Sequence, residues 1–322
     1  MAVAQSFGVL NYSGALFAKG NTKTPLSTAI GGRAKMTNHV EFVTGQEYNI
    51  GGGAQPAISE TASLTAPAAT SITRTQNTNV TQIFQEAVGV SYGKMSNMGT
   101  LSGINVAGQQ ANPMSELDFQ VGARLAKVAN DIEYTFVNGV YNKATTDATI
   151  NKTRGIHNAI TTSVLDMDSK ELNVWGIAEA MKSVSEQNAP IEGMVLLCDG
   201  TTFYQINSAA AKNGLTIVES TRNINGIAIT EVITPLGRVG LMLGQYIQPG
   251  NAYLLNLGVM APVYQPVPGK GNFFLEPLAK TGAGETYQLF GQIGLDYGPE
   301  WYHAKLTNIA TTWADKQSKA GD

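Results

Sequence analysis

Histidine and cysteine, which can perform acid–base, metal or nucleophilic chemistry, are few in this chain and widely spaced. The three histidines, His39, His157 and His303, stand singly, without the His-x-x-x-His or Cys-x-x-Cys spacing that brings two ligands to one metal ion. The single cysteine, Cys198, lies in the apolar run MVLLCDG, followed by Asp199 and with no histidine beside it. This environment predicts a core-strand cysteine. We therefore assign no catalytic, metal-binding or cofactor-binding residue, although the sequence alone leaves a spatial triad open.

Three glycine-containing segments resemble pieces of phosphate-binding loops but are incomplete. PGKGN at 268–272 and YGKM at 92–95 contain Gly-Lys, yet neither completes the Gly-x-x-x-x-Gly-Lys-Ser/Thr pattern whose backbone cradles phosphate. GGG at 51–53 suits a loop tip rather than a dinucleotide fingerprint, which would need both a strand before it and a helix after it. We interpret the first two segments as turns and the third as a flexible loop tip, and we expect no cofactor.

The chain carries unusually little charge. Charged residues make up 14% of its 322 residues, against roughly 25% in an ordinary soluble domain. This favours extensive contacts between subunits, the alternative being a free globular surface rich in Thr, Asn and Gln. The formal net charge of −3 and the absence of a Lys/Arg cluster argue against a dedicated nucleic-acid binder. Since no signal peptide or apolar run of ~18 residues is present, we expect a soluble protein made in the cytoplasm, with no membrane partner.

Residues 113–138 carry the clearest helix signal. Apolar side chains recur at helical spacing along one stripe, while Glu116 and Arg124 lie largely on the other side. Pro113 suits the first turn and Gly139 suits the stop. Such a helix is a rod of roughly 35 to 40 Å, so a long element must lie against it; a bundle helix and a coiled-coil arm are the alternatives. The stripe comprises Met114, Leu117, Val121, Leu125, Val128, Ala129, Ile132 and Phe136.

Two segments before this helix predict structure that projects from the core. Residues 1–34 show little periodicity and are broken by Gly, Asn, Thr and Pro25, so we expect an extended arm that a partner orders. In residues 35–82, the β-prone segments HVEFVTGQEYNI and TSITRTQNTNVTQ flank a nearly uncharged stretch. A structureless loop of that length is unusual inside a compact domain. We therefore predict a long hairpin that packs on a neighbouring subunit.

The remaining chain predicts an α/β domain and a long final strand. From Ser169 to about Gly269, helical segments alternate with strands such as the buried MVLLCDG and the pair around the Pro235-Leu236-Gly237 turn. Apolar and polar residues then alternate from Tyr287 to Tyr297, which predicts a strand of about 11 residues. Together with IFQEAVGVSYG, this strand is expected to form the sheet behind the rod. The expected fold class is α+β.

The order of these parts resembles that of tailed-bacteriophage major capsid proteins with the Hong Kong 97-type fold. The resemblance covers nearly the whole chain, and NTNVTQIFQEAVGVSYGKM is similar to an Asn-x-x-Gln-Ile-Phe…Val-Ser segment of one phage capsid family. The helix, an Arg-Gly turn and the terminal EWYHAKLTNIA resemble the same family. The matching residues are Asn79, Gln82, Ile83, Phe84, Val90 and Ser91, then Glu116, Leu117, Gln120, Lys127, Asp131, Ile132 and Glu133, then Arg154 and Gly155, and finally His303 and Ala304.

The resemblance implies a structural function and a chain divided into five parts. The expected function is the icosahedral head shell of a tailed bacteriophage, which encloses double-stranded DNA in the virion after assembly in the host cytoplasm. The expected parts are an N-terminal arm (1–34), an extended β-loop over the adjacent subunit (35–82), a peripheral domain with spine helix 113–138 (83–154), an inserted α/β axial domain around the five- and six-fold axes (155–269), and the peripheral return strands with the C-terminal tail (270–322).

Two departures from the family pattern limit how the shell is expected to assemble and to be stabilised. Some capsids of this fold are cross-linked through a lysine on the β-loop, but no lysine occurs between Met36 and Gly93. Residues 1–34 are too few for a fused scaffolding domain. The expected partners are therefore further copies in pentamers and hexamers, separate scaffold, portal and cement proteins, and packaged DNA through non-specific contacts. The alternatives are an encapsulin-type nanocompartment shell and, from a different class, a soluble enzyme built on residues 155–269.

Overall fold

The computed structural model describes residues 23–51, 53–95, 116–212, 218–224 and 227–312. Its helices are α1 (Pro25–Gly31), α2 (Glu60–Ser63), α3 (Tyr92–Met95), α4 (Glu116–Asn138), α5 (Ile156–Ala159), α6 (Val174–Glu186) and α7 (Gly200–Lys212). Its strands are β1 (Lys35–Met36), β2 (Glu41–Tyr48), β3 (Arg74–Val80), β4 (Gln82–Ser91), β5 (Val164–Asp166), β6 (Val195–Cys198), β7 (Val218–Ile224), β8 (Ile227–Thr234), β9 (Gly237–Leu243), β10 (Ala252–Leu255), β11 (Ala261–Tyr264), β12 (Phe273–Pro277), β13 (Gly284–Asp296) and β14 (Ala304–Thr307).

One sheet, the long sheet, is built around β13 and consists of β1, β4, β11, β12 and β13. β4 pairs antiparallel with β13, from Gln82 opposite Ile293 to Ser91 opposite Gly284. β11 and β12 follow one another along the opposite edge of β13, and β1 pairs with β11. α4 packs on β4 and β13. The predicted sheet behind the rod is thus confirmed, and its central strand has 13 residues.

α4 ends at Asn138, directly before the predicted stop at Gly139. Its predicted start, at Pro113, lies outside the described residues. Val128 and Phe136 of the apolar stripe are buried, whereas Leu125 is 47% exposed. The prediction of one continuous buried face is therefore wrong for the middle of the helix, because no described element covers Leu125. At 23 residues, the described helix is about 35 Å long.

The second sheet has seven strands in the order β5-β14-β10-β6-β9-β8-β7. β6 and β9 are parallel, while β10 pairs antiparallel with both β6 and β14. α6 packs on this sheet, and the side chains of Ile177, Met181, Leu196 and Leu254 are buried in a shared core. The predicted α/β unit is confirmed, as are its β8–β9 pair around the Pro235 turn and its buried β6. Among the described residues, no helix combines the length and apolar character required to cross a membrane.

Two short strands lie in a different sheet from the one that the expected boundaries imply. β11, within the expected 155–269 unit, pairs with β1 and β13 of the long sheet. β14, within the expected 270–322 unit, pairs with β10 and β5 of the seven-stranded sheet. Strands of four residues carry too little local pattern to specify their partner, which long-range packing selects.

The expectation of an extended arm over residues 1–34 is wrong at its C-terminal end, and residues 1–22 lie outside the described part. α1 occupies Pro25–Gly31, with Pro25 near the start of the helix, where its missing N–H leaves no hydrogen bond unmade. The side chains of Leu26 and Ile30 are fully buried. Their spacing of four residues places both on the face of α1 that joins the core with α4.

β2 and β3 form the predicted hairpin. They pair antiparallel from Glu41 opposite Val80 to Tyr48 opposite Arg74, with an irregularity between Val43 and Gly45. The connection between them contains the one-turn helix α2, in which the Ser59 hydroxyl accepts the N–H of Ala62. We call the connecting residues 49–73 the hairpin tip. Every described residue of the hairpin tip is exposed.

Candidate functional site

His303 is a buried structural residue. Its ring Nε2–H donates to the carbonyl oxygen of Tyr297 at 2.7 Å, and Nδ1 accepts the N–H of Asn256 at 3.2 Å. Burial lowers the pKa of His303 to about 4, and a proton on Nδ1 would face the Asn256 N–H. The neutral ring ties the chain after β10 to the end of β13. Because both ring nitrogens are already hydrogen-bonded, neither is directed at a ligand.

The other two histidines have separate surroundings. His157 Nδ1 lies 2.9 Å from the hydroxyl oxygen of Tyr253, and burial, with the nearby charge of Lys305, lowers the pKa of His157. His39 is exposed before β2, where Nδ1 accepts the N–H of Glu41 at 3.1 Å. Within the described residues, no group of three or more His, Cys, Asp and Glu side chains is placed to hold a metal ion.

Cys198 and Asp199 do not form a reactive pair. Burial in β6 raises the pKa of the Cys198 thiol, and the charge of Asp199 acts in the same direction. Asp199 instead accepts the N–H of Thr202 through Oδ1 at 2.9 Å, which caps the start of α7. A thiol with a raised pKa carries little thiolate, the nucleophilic form. The pair therefore serves the packing of β6 and α7.

The glycine-containing segments form turns and loops. In the turn between β11 and β12, Lys270 Nζ donates to both carboxylate oxygens of Glu276 at 2.7 Å. Lys94 lies in the single turn of α3. Gly51 and Gly53 have φ values of 67° and 86° in the hairpin tip, a region that favours glycine.

The hairpin tip is the strongest candidate for a functional surface. Leu64 is 85% exposed, Ile50 is 73% exposed and Ile58 is 71% exposed. Large apolar side chains clustered on one exposed segment mark interaction sites in soluble proteins. A connection of this length, with no buried residue among those that the structure describes, has no core of its own to hold it in place. The tip therefore presents apolar surface that another chain can cover.

Three of the motifs singled out in the sequence meet at the base of this hairpin. Asn79 Oδ1 accepts the N–H of Arg154 at 2.7 Å, and Gln82 Oε1 accepts the N–H of Thr153 at 3.3 Å. Asn79 Nδ2 also donates to the carbonyl oxygen of Leu295 in β13 at 2.8 Å. We call these five residues the hairpin junction. It joins the hairpin, the Arg-Gly turn after α4 and the central strand of the long sheet.

Charged residues of the same motifs join α4 to β4. Glu86 forms ion pairs with Lys127 and with Arg124, whose Nη1 lies 3.3 Å from a carboxylate oxygen. Lys127 also pairs with Asp131 one turn further along α4 at 3.7 Å. The basic side chains are about half exposed, so each pair contributes at most about 1 kcal/mol. The ion pairs favour the packing of α4 on β4 without dominating it.

Glu133, another motif residue, holds α1 against α4. Its carboxylate is buried and accepts the N–H groups of Leu26 and Ser27, each at 2.8 Å. Burial raises the pKa of Glu133, although the hydrogen bonds from Ser27 and Leu26 oppose this shift. Two free N–H groups at the start of a helix, together with its dipole, favour a carboxylate at this position. The resemblance marked Glu133 but did not indicate this role.

Two exposed aromatic residues on the seven-stranded unit were missed by the sequence analysis. Trp175 near the start of α6 is 66% exposed, and Tyr204 on α7 is 61% exposed. α6 and α7 contact each other. The helical spacing of apolar residues could have shown that neither side chain lies on the buried face of its helix. Their exposure becomes evident only once the sheet beneath the helices is known. Exposed Trp and Tyr are enriched at protein interfaces.

The chain matches the family described as SU10 major capsid protein over residues 2–310. This match spans the hairpin, α4, both sheets and the hairpin junction. No curated protein matches the chain. Because the family covers nearly the whole length, it includes every element that positions the surfaces described above.

Solved structures share the fold at low sequence identity. The Cyanophage A-1(L) capsid has a TM-score of 0.66 at 11% identity, with 93% of this chain and 96% of that chain covered. The holo-SrpI encapsulin complex from Synechococcus elongatus has a TM-score of 0.60 at 11% identity, with 94% of each chain covered. The Mycobacterium phage Patience structure has a TM-score of 0.59 at 10% identity, with 90% and 83% covered.

These matches confirm the expected Hong Kong 97-like fold with its long helix, hairpin and α/β unit. At such identities the structures establish the fold alone, and phage capsids and an encapsulin share it. The family match distinguishes a phage capsid protein from an encapsulin, since it covers nearly the full length of the sequence. The chain therefore belongs to the SU10 major capsid protein family and is a major capsid protein that forms a phage head shell.

Proposed function

We propose that the subunit assembles as pentamers and hexamers that close into the head shell, with each hairpin tip lying on an adjacent subunit. The exposure of every described residue in the tip carries this proposal. Burying one Leu or Ile side chain contributes roughly 1.5–3 kcal/mol before entropy costs. Tip contacts of this size are individually weak, but a closed shell repeats them at every interface.

In this arrangement α4 and the long sheet form the peripheral domain, and the seven-stranded sheet with α6 and α7 forms the axial domain. The expected boundaries at residues 154 and 269 serve as the proposed division, except that β11 belongs to the peripheral domain and β14 to the axial domain. The exchange of β11 and β14 between the two sheets supports a rigid connection, because each unit then contains a strand from the other part of the chain. Trp175 and Tyr204 supply exposed aromatic surface to the axial domain.

We further propose that the shell is held together without covalent cross-links from the hairpin. No lysine lies between Met36 and Gly93 to form an isopeptide bond. Interlocking hairpins, buried area and a separate cement protein would then provide stability. A separate scaffold protein and a portal protein complete the proposed partners. Assembly is proposed to take place in the host cytoplasm, and the subunit is proposed to have no enzymatic activity.

Packaged double-stranded DNA is the proposed content of the shell, contacted through few and diffuse charges because the chain has a net charge of −3. An encapsulin-type compartment would enclose protein cargo instead. Nuclease treatment of particles from infected cells separates the two: a protected DNA genome supports the phage head, and protected protein cargo without DNA contradicts it.

The assembly role of the hairpin tip can be tested with two matched variants. One replaces the exposed apolar residues Ile58, Leu64 and Ile72 with serine. The control replaces the exposed polar residues Gln55, Thr65 and Thr70 with serine on the same segment. Electron microscopy and light scattering should show shells for the wild type and the control, and only soluble, folded subunits for the apolar variant. Normal shells from the apolar variant would contradict the proposal.

A further inference from the structure

We propose that Asn79 is the positioning residue of the hairpin: its buried amide sets the direction in which the hairpin leaves the long sheet. This inference rests on the proposed function, because the direction of the hairpin determines which part of an adjacent subunit the tip reaches. No contact within the tip itself can set that direction, since every described tip residue is exposed.

The side chain of Asn79 is fully buried, and all of its hydrogen-bonding capacity is used. Nδ2 donates to the carbonyl oxygens of Arg154 at 3.1 Å and Leu295 at 2.8 Å. Oδ1 accepts the N–H of Arg154 at 2.7 Å and that of Val80 at 2.9 Å. An amide has two donor hydrogens and an acceptor oxygen on one short stem. Aspartate, by contrast, would direct a carboxylate oxygen at two carbonyl oxygens.

The backbone segments that bind the Asn79 side chain, at Arg154 and Leu295, also contact each other closely. The Thr153 hydroxyl accepts the N–H of Leu295 at 3.2 Å, so the turn and β13 are joined directly. A Cβ on Gly155 would approach the backbone nitrogen of Gly139 to 2.5 Å, which shows how closely the end of α4 and the turn pack. Asn79 thus connects the base of the hairpin to a closely packed block of backbone.

The neighbouring strand, β2, packs on the same part of the backbone. A Cβ on Gly294 would meet the Phe42 ring at 2.7 Å and the carbonyl oxygen of Val80 at 2.8 Å. The base of the hairpin therefore lies directly on the backbone of β13. The contact at Gly294 sets the distance between the hairpin and the long sheet. It does not by itself prevent the hairpin from rotating within the plane of the sheet. Asn79 supplies directional bonds at this contact.

Other polar contacts at the base are weaker candidates. Lys143 pairs with Glu41 of β2 at 2.6 Å, but its side chain is 52% exposed, and exposed pairs contribute about 1 kcal/mol or less. The Thr81 hydroxyl donates to Gln265 Oε1 at 2.6 Å in a partly buried position. A buried group whose partners are lost is more costly, at about 1–3 kcal/mol for each polar atom left unpaired.

Small rotations at the base become large displacements at the tip. A strand of eight residues, the length of β2, spans about 25 Å. A rotation of about 10° at Asn79 then moves the far end by about 4 Å, roughly the full reach of a side-chain contact. Correct docking of the tip on an adjacent subunit therefore requires a well-defined direction at the base.

The test measures hairpin direction in the isolated subunit, independently of assembly. Spin labels are attached to Thr65→Cys in the hairpin tip and Lys182→Cys on α6; Cys198 is buried and stays unlabelled. Pulsed electron spin resonance then measures the distance between the labels. Asn79→Ala should shift or broaden this distance by about 4 Å, while Gln76→Ala, on the exposed part of β3, should retain the parental distribution. Circular dichroism monitors folding in each variant.

The outcomes separate this inference from the proposed function. An unchanged, equally narrow distance in folded Asn79→Ala would overturn the role of Asn79, whether or not the wild type forms shells. If Asn79→Ala does not fold, Asn79→Ser, whose hydroxyl keeps one donor, is measured with the same expectation. Loss of folding in both would also overturn the inference, because Asn79 would then be required by the whole fold. Absence of shells from wild type with a shifted Asn79 distance would contradict only the proposed assembly.

Discussion

The carboxylate of Glu133 accepts the backbone N–H of Leu26 at 2.8 Å, across 107 positions of the sequence. The second oxygen accepts the N–H of Ser27 at 2.8 Å. A charged side chain on α4 thus takes the place of a local cap for α1, whose own preceding residue, Thr24, makes no side-chain capping bond. The start of α1 is consequently attached to α4 through this buried carboxylate.

Replacing Glu133 with glutamine should weaken this attachment. The amide can accept one N–H, but its NH₂ group would face the other, so we expect a loss of about 1.5–3 kcal/mol. Asp131→Asn, on the exposed side of the same helix, is the control and should change stability by less than about 0.5 kcal/mol. Urea unfolding of isolated subunits measures both changes. Equal stability of Glu133→Gln and wild type would show that the cap is unimportant.

Acid should destabilise the subunit through His303. The pKa of this ring is lowered to about 4 in the fold, against about 6.5 when unfolded. The unfolded state therefore binds the proton more tightly, so stability falls as pH decreases from 6.5 towards 4, by an amount on the order of 2–3 kcal/mol. Unfolding free energies measured across this range should show a smaller decline in His303→Gln than in wild type.

Titration of Glu133 changes stability with pH in the opposite direction to that of His303. The comparison of wild type with His303→Gln removes the effect of Glu133. Its pKa is raised by burial above the ordinary value of 4.5, so the folded state binds its proton more tightly and this contribution to stability falls as pH rises above 4.5. Because Glu133 is present in both proteins, the difference between wild type and His303→Gln reports on His303. Parallel pH profiles would contradict the assignment of a neutral, buried His303.

Two glycine-to-alanine substitutions should have opposite effects. A Cβ on Gly155 would lie 2.5 Å from Gly139 N and 2.6 Å from Thr135 O, both backbone atoms. Gly155→Ala should therefore cost about 3 kcal/mol or more. Gly122 lies within α4 with nothing within 4 Å of its Cβ position, so Gly122→Ala should stabilise by roughly 0.5–1 kcal/mol. Thermal unfolding measures both; a tolerated Gly155→Ala would contradict close packing of the turn.

Assembled shells should tolerate salt. Exposed apolar residues of the hairpin tip dominate the proposed contacts, and charged residues form only 14% of the chain. At about 0.5 M NaCl the Debye length is roughly 4 Å, which screens exposed ion pairs but not apolar burial. Light scattering of particles before and after addition of salt should show the same size. Dissociation into subunits at this concentration would indicate contacts governed by charge.

The sequence predicts long elements of this fold better than short ones. α4, the β2–β3 hairpin and β13 each repeat a pattern over many residues, so their type could be inferred before their partners were known. α1 was missed because seven residues provide two turns of signal, and Pro25 suggested a break where it begins a helix. β11 and β14 were assigned to the wrong neighbours for a similar reason, since four-residue strands match many edges.

The functional surfaces were predicted unevenly. The nearly uncharged hairpin was expected to project, and the exposure of its tip agrees with that expectation. The contact between Asn79 and Arg154 was not predicted, although both residues belonged to quoted motifs, because 75 positions separate them. Motif residues far apart in sequence reveal their roles only when the fold brings their backbone and side-chain groups together.

Electron cryomicroscopy of the protein, expressed alone and together with the genes that flank its own, shows whether subunits form a shell and where each hairpin tip lies. We expect closed icosahedral shells, or five- and six-membered rings, in which residues 49–73 of each subunit lie on an adjacent copy. A homogeneous monomer in both preparations, or shells whose hairpin tips remain free of neighbouring subunits, would contradict this expectation.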